Sequence, residues 1–243
     1  MDNTLLQLST TKFGYGQKVI VQAKSGLIKT GTLNVLIGKN GSGKSTLLRT
    51  ILGMNPLLEG EIQLKGDDID SLTALQRARI ISAVLAANHQ SPDGMKVSEM
   101  IALGRSPHTS WWGKLSQRDN QVINESAERA GVSKFLDLPM GKISDGERQK
   151  VYIARALAQE TDLILLDEPM AFLDFSARRE FLKLLQDLCK EGKSILYSSH
   201  DLALSLTATD TVWLIDNESQ LQILDSDEFS KSGMMEKIFG HQL

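Results

Sequence analysis

The clearest chemistry in the chain lies in Gly38-Lys39-Asn40-Gly41-Ser42-Gly43-Lys44-Ser45. These residues satisfy the spacing G-x-x-x-x-G-K-[ST], in which glycine backbones turn their N–H groups inward around phosphate oxygens. A helix beginning there adds the positive end of its dipole. In that geometry Lys44 reaches the β- and γ-phosphates and Ser45 offers its hydroxyl to Mg²⁺. The bland alternative is a glycine-rich turn that caps a helix. The flanks decide between them: an apolar run, Leu33 to Ile37, precedes the glycines, and helical spacing from Ser45 through Leu52 follows. Strand, loop and helix in that order are the context the motif needs.

Two further strand candidates end in reactive side chains. Leu163 to Leu166 runs into Asp167-Glu168-Pro169, and Ser194 to Ser198 runs toward His200. An apolar strand ending in Asp-Glu-Pro is by itself a strand meeting a turn. Beside a phosphate loop, Asp167 takes the position of the acid that holds the Mg²⁺ water shell, and Glu168 that of a base for the attacking water. His200 projects toward the same crevice, where a γ-phosphate contact is the expected role. His89, His108 and His241 have no such context, and no metal-ligand spacing joins them. Ser144-Asp145-Gly146-Glu147 opens a helix running through Val151, Ala154 and Ala158. Its plain reading is a capping box, with Ser144 bonding the helix end and Glu147 reaching back. A helix end with a serine hydroxyl and a glycine amide is also a phosphate receptor, and the two readings are compatible.

These residues need a sheet to hold them. Strands alternating with helices predict an α/β fold, with a parallel sheet, helices on both faces and ligands beyond the carboxyl ends of the strands. The amphipathic helix carrying Phe181, Leu184, Leu185 and Leu188 lies between those two strands, Leu163 to Leu166 and Ser194 to Ser198, with Cys189 on the same face as a small buried hydrophobe. Residues 88–158 have helical spacing without a strand signal and predict an inserted helical lobe. Leu5 to Gln22, with Glu61 to Leu64, alternates as short antiparallel strands that form a small sheet beside the site. The chain therefore reads as one domain, with a core of 1–87 and 159–225, a lobe of 88–158 and a carboxyl-terminal helix within 226–243.

Composition limits the functions available. The 243 residues carry 27 basic and 30 acidic side chains, a net charge of −3, with 41% hydrophobic residues, and this excludes a disordered polymer. Without a basic cluster, nucleic-acid binding is not the expected activity. No apolar run approaches the roughly 20 residues of a spanning helix, and the amino terminus lacks a leader pattern, so a cytoplasmic location is expected.

Taken together, the sequence resembles the ATP-binding subunits of ABC transporters over nearly its whole length. The phosphate loop, helical lobe, signature of the Leu-Ser-Gly-Gly-Gln type, Asp-Glu pair and histidine follow in that family's order. The resemblance implies a P-loop NTPase core with a mainly parallel sheet and a small antiparallel subdomain. It also implies ATP and Mg²⁺ as cofactors, with Ser45 and Asp167 at the metal and Lys44, Glu168 and His200 as catalytic residues. Nucleotide contacts would extend to Gly38, Asn40, Gly41, Gly43 and Thr46, and Tyr15 would stack on adenine. Two copies would meet head to tail, so that Ser144 and Gly146 of one face the phosphates of the other, with Asp174 coupling the sites. Partners would be a membrane permease and, indirectly, an extracytoplasmic binding protein, with this chain peripheral on the inner face of the membrane.

Ala102-Leu103-Gly104-Arg105-Ser106-Pro107-His108, followed by Trp111-Trp112-Gly113, is similar to importers of iron–siderophores, haem and cobalamin. Trp111 and Trp112 either pack within the lobe or face a membrane partner. Two features depart from the family pattern. Asp145 and Glu147 replace a glycine and a glutamine of the signature, which predicts that these carboxylates point away from phosphate or bond the helix end. The family's Mg²⁺-sensing glutamine aligns at about Ala87, with Gln90 as a displaced candidate. Rival readings are a soluble ATPase of this class acting on ribosomes or nucleic acid, and a module that holds ATP without turnover.

Overall fold

The computed structural model describes residues 3–85, 93–110 and 112–234. Its strands are β1 (Thr4–Tyr15), β2 (Lys18–Lys29), β3 (Leu33–Gly38), β4 (Glu59–Leu64), β5 (Asp67–Asp68), β6 (Ile81–Val84), β7 (Leu163–Leu166), β8 (Ser194–Ser198), β9 (Thr211–Ile215) and β10 (Gln220–Asp225). They form one ten-stranded sheet in the order β5-β4-β1-β2-β10-β9-β3-β8-β7-β6. From β9 through β3, β8, β7 and β6 every neighbouring pair is parallel. β1 pairs antiparallel with both β2 and β4.

The expected antiparallel strands are present, but they differ from the expectation in two ways. β1 and β2 are twelve residues long rather than short. They also join the main sheet, because Gln22 and Ala23 of β2 pair in parallel with Gln220 and Leu221 of β10. β10 gave no separate strand signal, since its alternation is half-buried and polar.

Side-chain alternation along the parallel strands builds two cores. Val35 and Ile37, Ile164 and Leu166, Ile195 and Tyr197, and Val212 and Leu214 face one side; the residues between them, Leu36, Leu165, Leu196 and Trp213, face the other. A strand buried on both faces is a continuous apolar run, which is why β7 and β8 were legible residue for residue. α1 (Lys44–Ile51) covers one face through Leu47, Leu48 and Ile51. α6 (Phe175–Lys190) covers the other through Phe181, Leu182, Leu185 and Leu188. Short helices α2 (Ala74–Ala78), α7 (Leu202–Leu206) and α8 (Ser226–Lys231) fill the connections. Of the expected carboxyl-terminal helix within 226–243, residues 235–243 lie outside the described residues.

The lobe consists of α3 (Val97–Ala102), a 3₁₀ turn over Leu103–His108, α4 (Gln117–Arg129) and α5 (Asp145–Ala158). Among its described residues the sole strand-like feature is a bridge between Lys96 and Pro139. Gly104 permits the close approach of the 3₁₀ turn to α5: a Cβ there would lie 2.2 Å from the Arg155 carbonyl oxygen. The adjacent Arg105 is 3% exposed. It donates from Nε to Asp119 Oδ1 at 2.8 Å and from Nη1 to the Ala158 carbonyl at 2.6 Å and Glu160 Oε2 at 2.8 Å. One buried guanidinium thus joins the amino end of α4 to the carboxyl end of α5. No helix among the described residues is long and apolar enough to cross a membrane. Trp112 is exposed, while Trp111 lies outside the described residues.

Candidate functional site

β3 ends at Gly38 and α1 begins at Lys44, so the glycine-rich loop lies at the carboxyl end of a central strand. Gly43 takes φ of 107°, a conformation glycine reaches without steric penalty. A Cβ there would also fall 2.5 Å from Val21 Cγ2 and 2.7 Å from Ile20 Cγ2, so the loop packs its backbone directly on β2. A cavity of about 200 Å³ is bounded by Asn40, Gly41, Gly43, Lys44, Ser45 and Thr46 of the loop and helix, with Ile20 and Glu168 opposite.

Lys44 is buried, and its ammonium donates to the Gly38 carbonyl at 2.9 Å and the Lys39 carbonyl at 3.3 Å. Burial pushes its pKa below the ordinary lysine value, against the opposing pull of Glu168 and Asp167. A cation whose hydrogen bonds go to two loop carbonyls can exchange them for an anion held in the neighbouring cavity.

Asp167 and Glu168 follow β7. Asp167 is 3% exposed, and Ser198 at the end of β8 donates its hydroxyl to Oδ1 at 2.7 Å. The same hydroxyl accepts the Glu168 amide at 2.8 Å. Glu168 has φ of 50°, rare for a side chain other than glycine and a conformation that costs about 1–3 kcal/mol. That backbone turn directs its carboxylate over the phosphate loop and toward His200, whose Nε2 lies 2.6 Å from Oε1. Ser198 was not anticipated from sequence: it is the last residue of β8, and its role depends on β7 lying beside that strand.

Tyr15 ends β1 with its ring half-exposed. Its hydroxyl accepts from Thr46 Oγ1 at 3.4 Å and Asn55 Nδ2 at 3.5 Å, and the Thr46 contact lowers its pKa. The Tyr15 hydroxyl therefore lies beside the first turn of α1. The helix end expected to face phosphate from a second copy is elsewhere. Ser144 caps α5, its Oγ accepting the Glu147 amide at 3.3 Å, while Glu147 Oε2 accepts the Ser144 amide at 2.9 Å and hydroxyl at 2.8 Å. Those bonds, the backbone amide first, hold the Glu147 carboxyl below its ordinary range. Asp145 pairs with Arg148 at 3.3 Å. Both unusual carboxylates are thus engaged on their own helix, Glu147 as the capping pattern predicts and Asp145 through an ion pair that the pattern did not predict. Neither Ser144 nor Gly146 borders the phosphate-loop cavity of its own chain. Asp174 caps α6 through the Ala177 amide at 2.8 Å and is likewise outside that cavity. Ala87 and Gln90 lie outside the described residues.

Residues 21–171 match the ABC transporter sequence family. This chain belongs to the ABC transporter family. Within it, the chain is an ATP-binding, ATP-hydrolysing subunit. It is 39% identical over 198 residues to the iron(3+)-hydroxamate import ATP-binding protein FhuC of Bacillus subtilis (strain 168), covering 80% of this chain and 73% of that protein. It is 35% identical over 207 residues to the achromobactin transport ATP-binding protein CbrD of Dickeya dadantii (strain 3937), covering 85% and 77%. Among solved structures, a metal-chelate type ABC transporter in an inward-facing conformation superposes with a TM-score of 0.84 at 25% identity, covering 98% of this chain and 89% of that one.

Proposed function

We propose that this ABC subunit powers an importer of chelated iron, two copies closing on ATP against a membrane permease. The observation that carries the reading is Glu168, facing the phosphate-loop cavity with His200 at 2.6 Å. Glu168 takes a proton from the attacking water as general base, and His200 orients that carboxylate and contacts the γ-phosphate. Lys44 leaves the Gly38 and Lys39 carbonyls for the β- and γ-phosphates, and the amides of Asn40, Gly41 and Gly43 surround their oxygens. Thr46 closes the amino end of α1, while Tyr15 lies under adenine.

Ser45 and Asp167 suit Mg²⁺. Among the described residues no group of three His, Cys, Asp or Glu could cage a metal, whereas Mg²⁺ favours few carboxylates together with phosphate and water oxygens. Held by these two residues, Mg²⁺ would supply neutralisation of the charge on the transferring phosphoryl group. In the second copy, Ser144 and Gly146 supply the opposing helix end, and Asp174 lies at the junction between copies. An extracytoplasmic binding protein delivers the solute to the permease, and this chain sits peripherally on the cytoplasmic face. The names of the relatives support siderophore-bound iron over haem or cobalamin, and nothing in them supports a ribosomal or nucleic-acid role.

The test is Glu168→Gln. The variant is expected to bind ATP, lose turnover and accumulate as an ATP-bound pair on size-exclusion chromatography. Turnover at the wild-type rate would remove Glu168 from the reaction.

A further inference from the structure

Arg178 joins the loop that carries Asp174 to the segment that carries His200. It lies one turn into α6, so its side chain points back toward the helix start. Its Nε donates to the Leu173 carbonyl at 2.9 Å, and its Nη1 lies 3.2 Å from Asp201 Oδ2. Asp201 is itself fixed. Its Oδ1 accepts the Leu204 amide at 3.2 Å, and its own amide donates to Ser199 Oγ at 3.1 Å. The neighbouring His200 meets Glu168 at 2.6 Å.

From Glu168 to Leu173 the backbone closes on itself through two turns. The Ala171 amide donates to the Glu168 carbonyl, and the Leu173 amide to the Met170 carbonyl, both at 3.2 Å. The result is a ring, from Glu168 along the chain to Leu173, across Arg178 to Asp201, and through His200 back to Glu168. It borders a cavity of about 70 Å³. Both partners of the Arg178–Asp201 pair are about one-third exposed, at 33% and 29%. Such a pair adds little to stability, so its consequence is geometric. A guanidinium with donors in a fixed fork sets the separation of the two segments it joins, which a single flexible ammonium does not.

We propose that Arg178 is a positioning residue for hydrolysis, making the His200–Glu168 contact depend on the placement of the Asp174 loop. This rests on the roles of Glu168 and His200 given above. A displacement of that loop moves the Leu173 carbonyl, and through Arg178 it moves Asp201 and the imidazole beside it.

The experiment is a double-mutant cycle on the full chain, with ATP turnover, ATP binding and thermal midpoint measured for wild type, Arg178→Gln, Asp201→Asn, the double variant and Arg178→Lys. Arg178→Gln and Asp201→Asn are each expected to lower kcat by about tenfold, leaving KM within about twofold, the mark of an interaction that acts on the reaction rather than on binding. The double variant is expected to be no slower than the slower single one, because both substitutions cut the same link. Arg178→Lys recovers part of the loss. Wild-type kcat in Arg178→Gln, or losses that multiply in the double variant, would overturn the proposal. If Arg178→Gln does not fold, Asp201→Asn decides, since its amide oxygen retains the α7 cap: normal kcat there overturns the proposal equally. Glu168→Gln is run alongside. Turnover that survives it counts against the base assignment, whereas multiplying losses in the cycle count against Arg178 alone.

Discussion

The Ser198 hydroxyl donates to Asp167 Oδ1 at 2.7 Å, so the last residue of β8 fixes the acid at the end of β7. It also accepts the Glu168 amide at 2.8 Å, in the turn where Glu168 adopts its unusual φ of 50°. One side chain therefore holds both acids in register across two parallel strands. Ser198→Ala would leave a buried carboxylate oxygen and an amide without this partner, a loss of about 1–3 kcal/mol in unfolding free energy. Turnover should fall further than ATP affinity, because the proposed function puts the displaced groups at the reacting end of the nucleotide. Urea unfolding and steady-state ATPase assays check both. Unchanged stability together with unchanged kcat would leave Ser198 as packing only.

Ser198 also marks where sequence reasoning stops. Asp167, Glu168 and His200 were legible because each follows an apolar run at a strand end, and the phosphate loop because its spacing is its mechanism. A serine inside a strand carries no such pattern, and its role depends on β8 lying beside β7 in register, a pairing of residues about 30 apart. Arg178 is hidden for the same reason, since an arginine on a helix surface gains meaning only when Asp201 is seen beside it. β10 was missed because its outward residues are polar and half-buried, and with it the join that makes a single sheet of the antiparallel and parallel strands. The capping box survived the transition intact, being a purely local device.

That cap yields a second prediction. Glutamine can accept the Ser144 amide and hydroxyl as Glu147 does, so Glu147→Gln should leave hydrolysis near wild type. Glu147→Ala should cost about 0.3–1.5 kcal/mol, the range of such capping contributions. The carboxyl pKa is lowered in the folded state from its ordinary value of 4.5. The charge-dependent stabilisation is therefore complete above pH 4.5 and is lost as pH falls through the lowered folded value. The stability difference between wild type and Glu147→Gln, followed by urea titration from pH 7 down to pH 3, should shrink in acid. A difference that grows in acid would place the Glu147 charge in an unfavourable environment.

The lobe depends on a buried pair. Arg105 and Asp119 have side chains 4% and 8% exposed, at 2.8 Å. Hydrogen bonds from Ser116 come first, and Arg105 after them, in holding the Asp119 carboxyl well below its ordinary range. Arg105→Met removes one charge and strands the other, which typically costs about 3–5 kcal/mol. Because the Asp119 pKa is depressed, the stability it contributes is complete above its ordinary value of 3.8 and is lost as pH falls through the folded value. Arg105→Met should lose the smaller part of that acid sensitivity, since the Ser116 hydrogen bonds remain, read as a slightly flatter dependence of unfolding midpoint on pH below 4. An unchanged midpoint at pH 7 would show that the lobe does not rely on this pair.

Cys189 offers a direct measure of nucleotide binding. Burial pushes its thiol up to about 12, so at pH 8 almost none of it is the reactive thiolate in the folded chain. A thiol reagent should therefore label it only through unfolding, at a rate that follows the population of the opened state. ATP at about 100 times its Kd stabilises a protein that binds it only when folded by about 2.7 kcal/mol, which is about a hundredfold slower labelling. Lys44→Ala, lacking the proposed phosphate ligand, should show the same labelling rate with and without that concentration of ATP. Fast labelling of the wild-type chain in native buffer would contradict the burial of Cys189. Full ATP protection in Lys44→Ala would mean that Lys44 is dispensable for binding, leaving the backbone amides and the first turn of α1 to hold the phosphates.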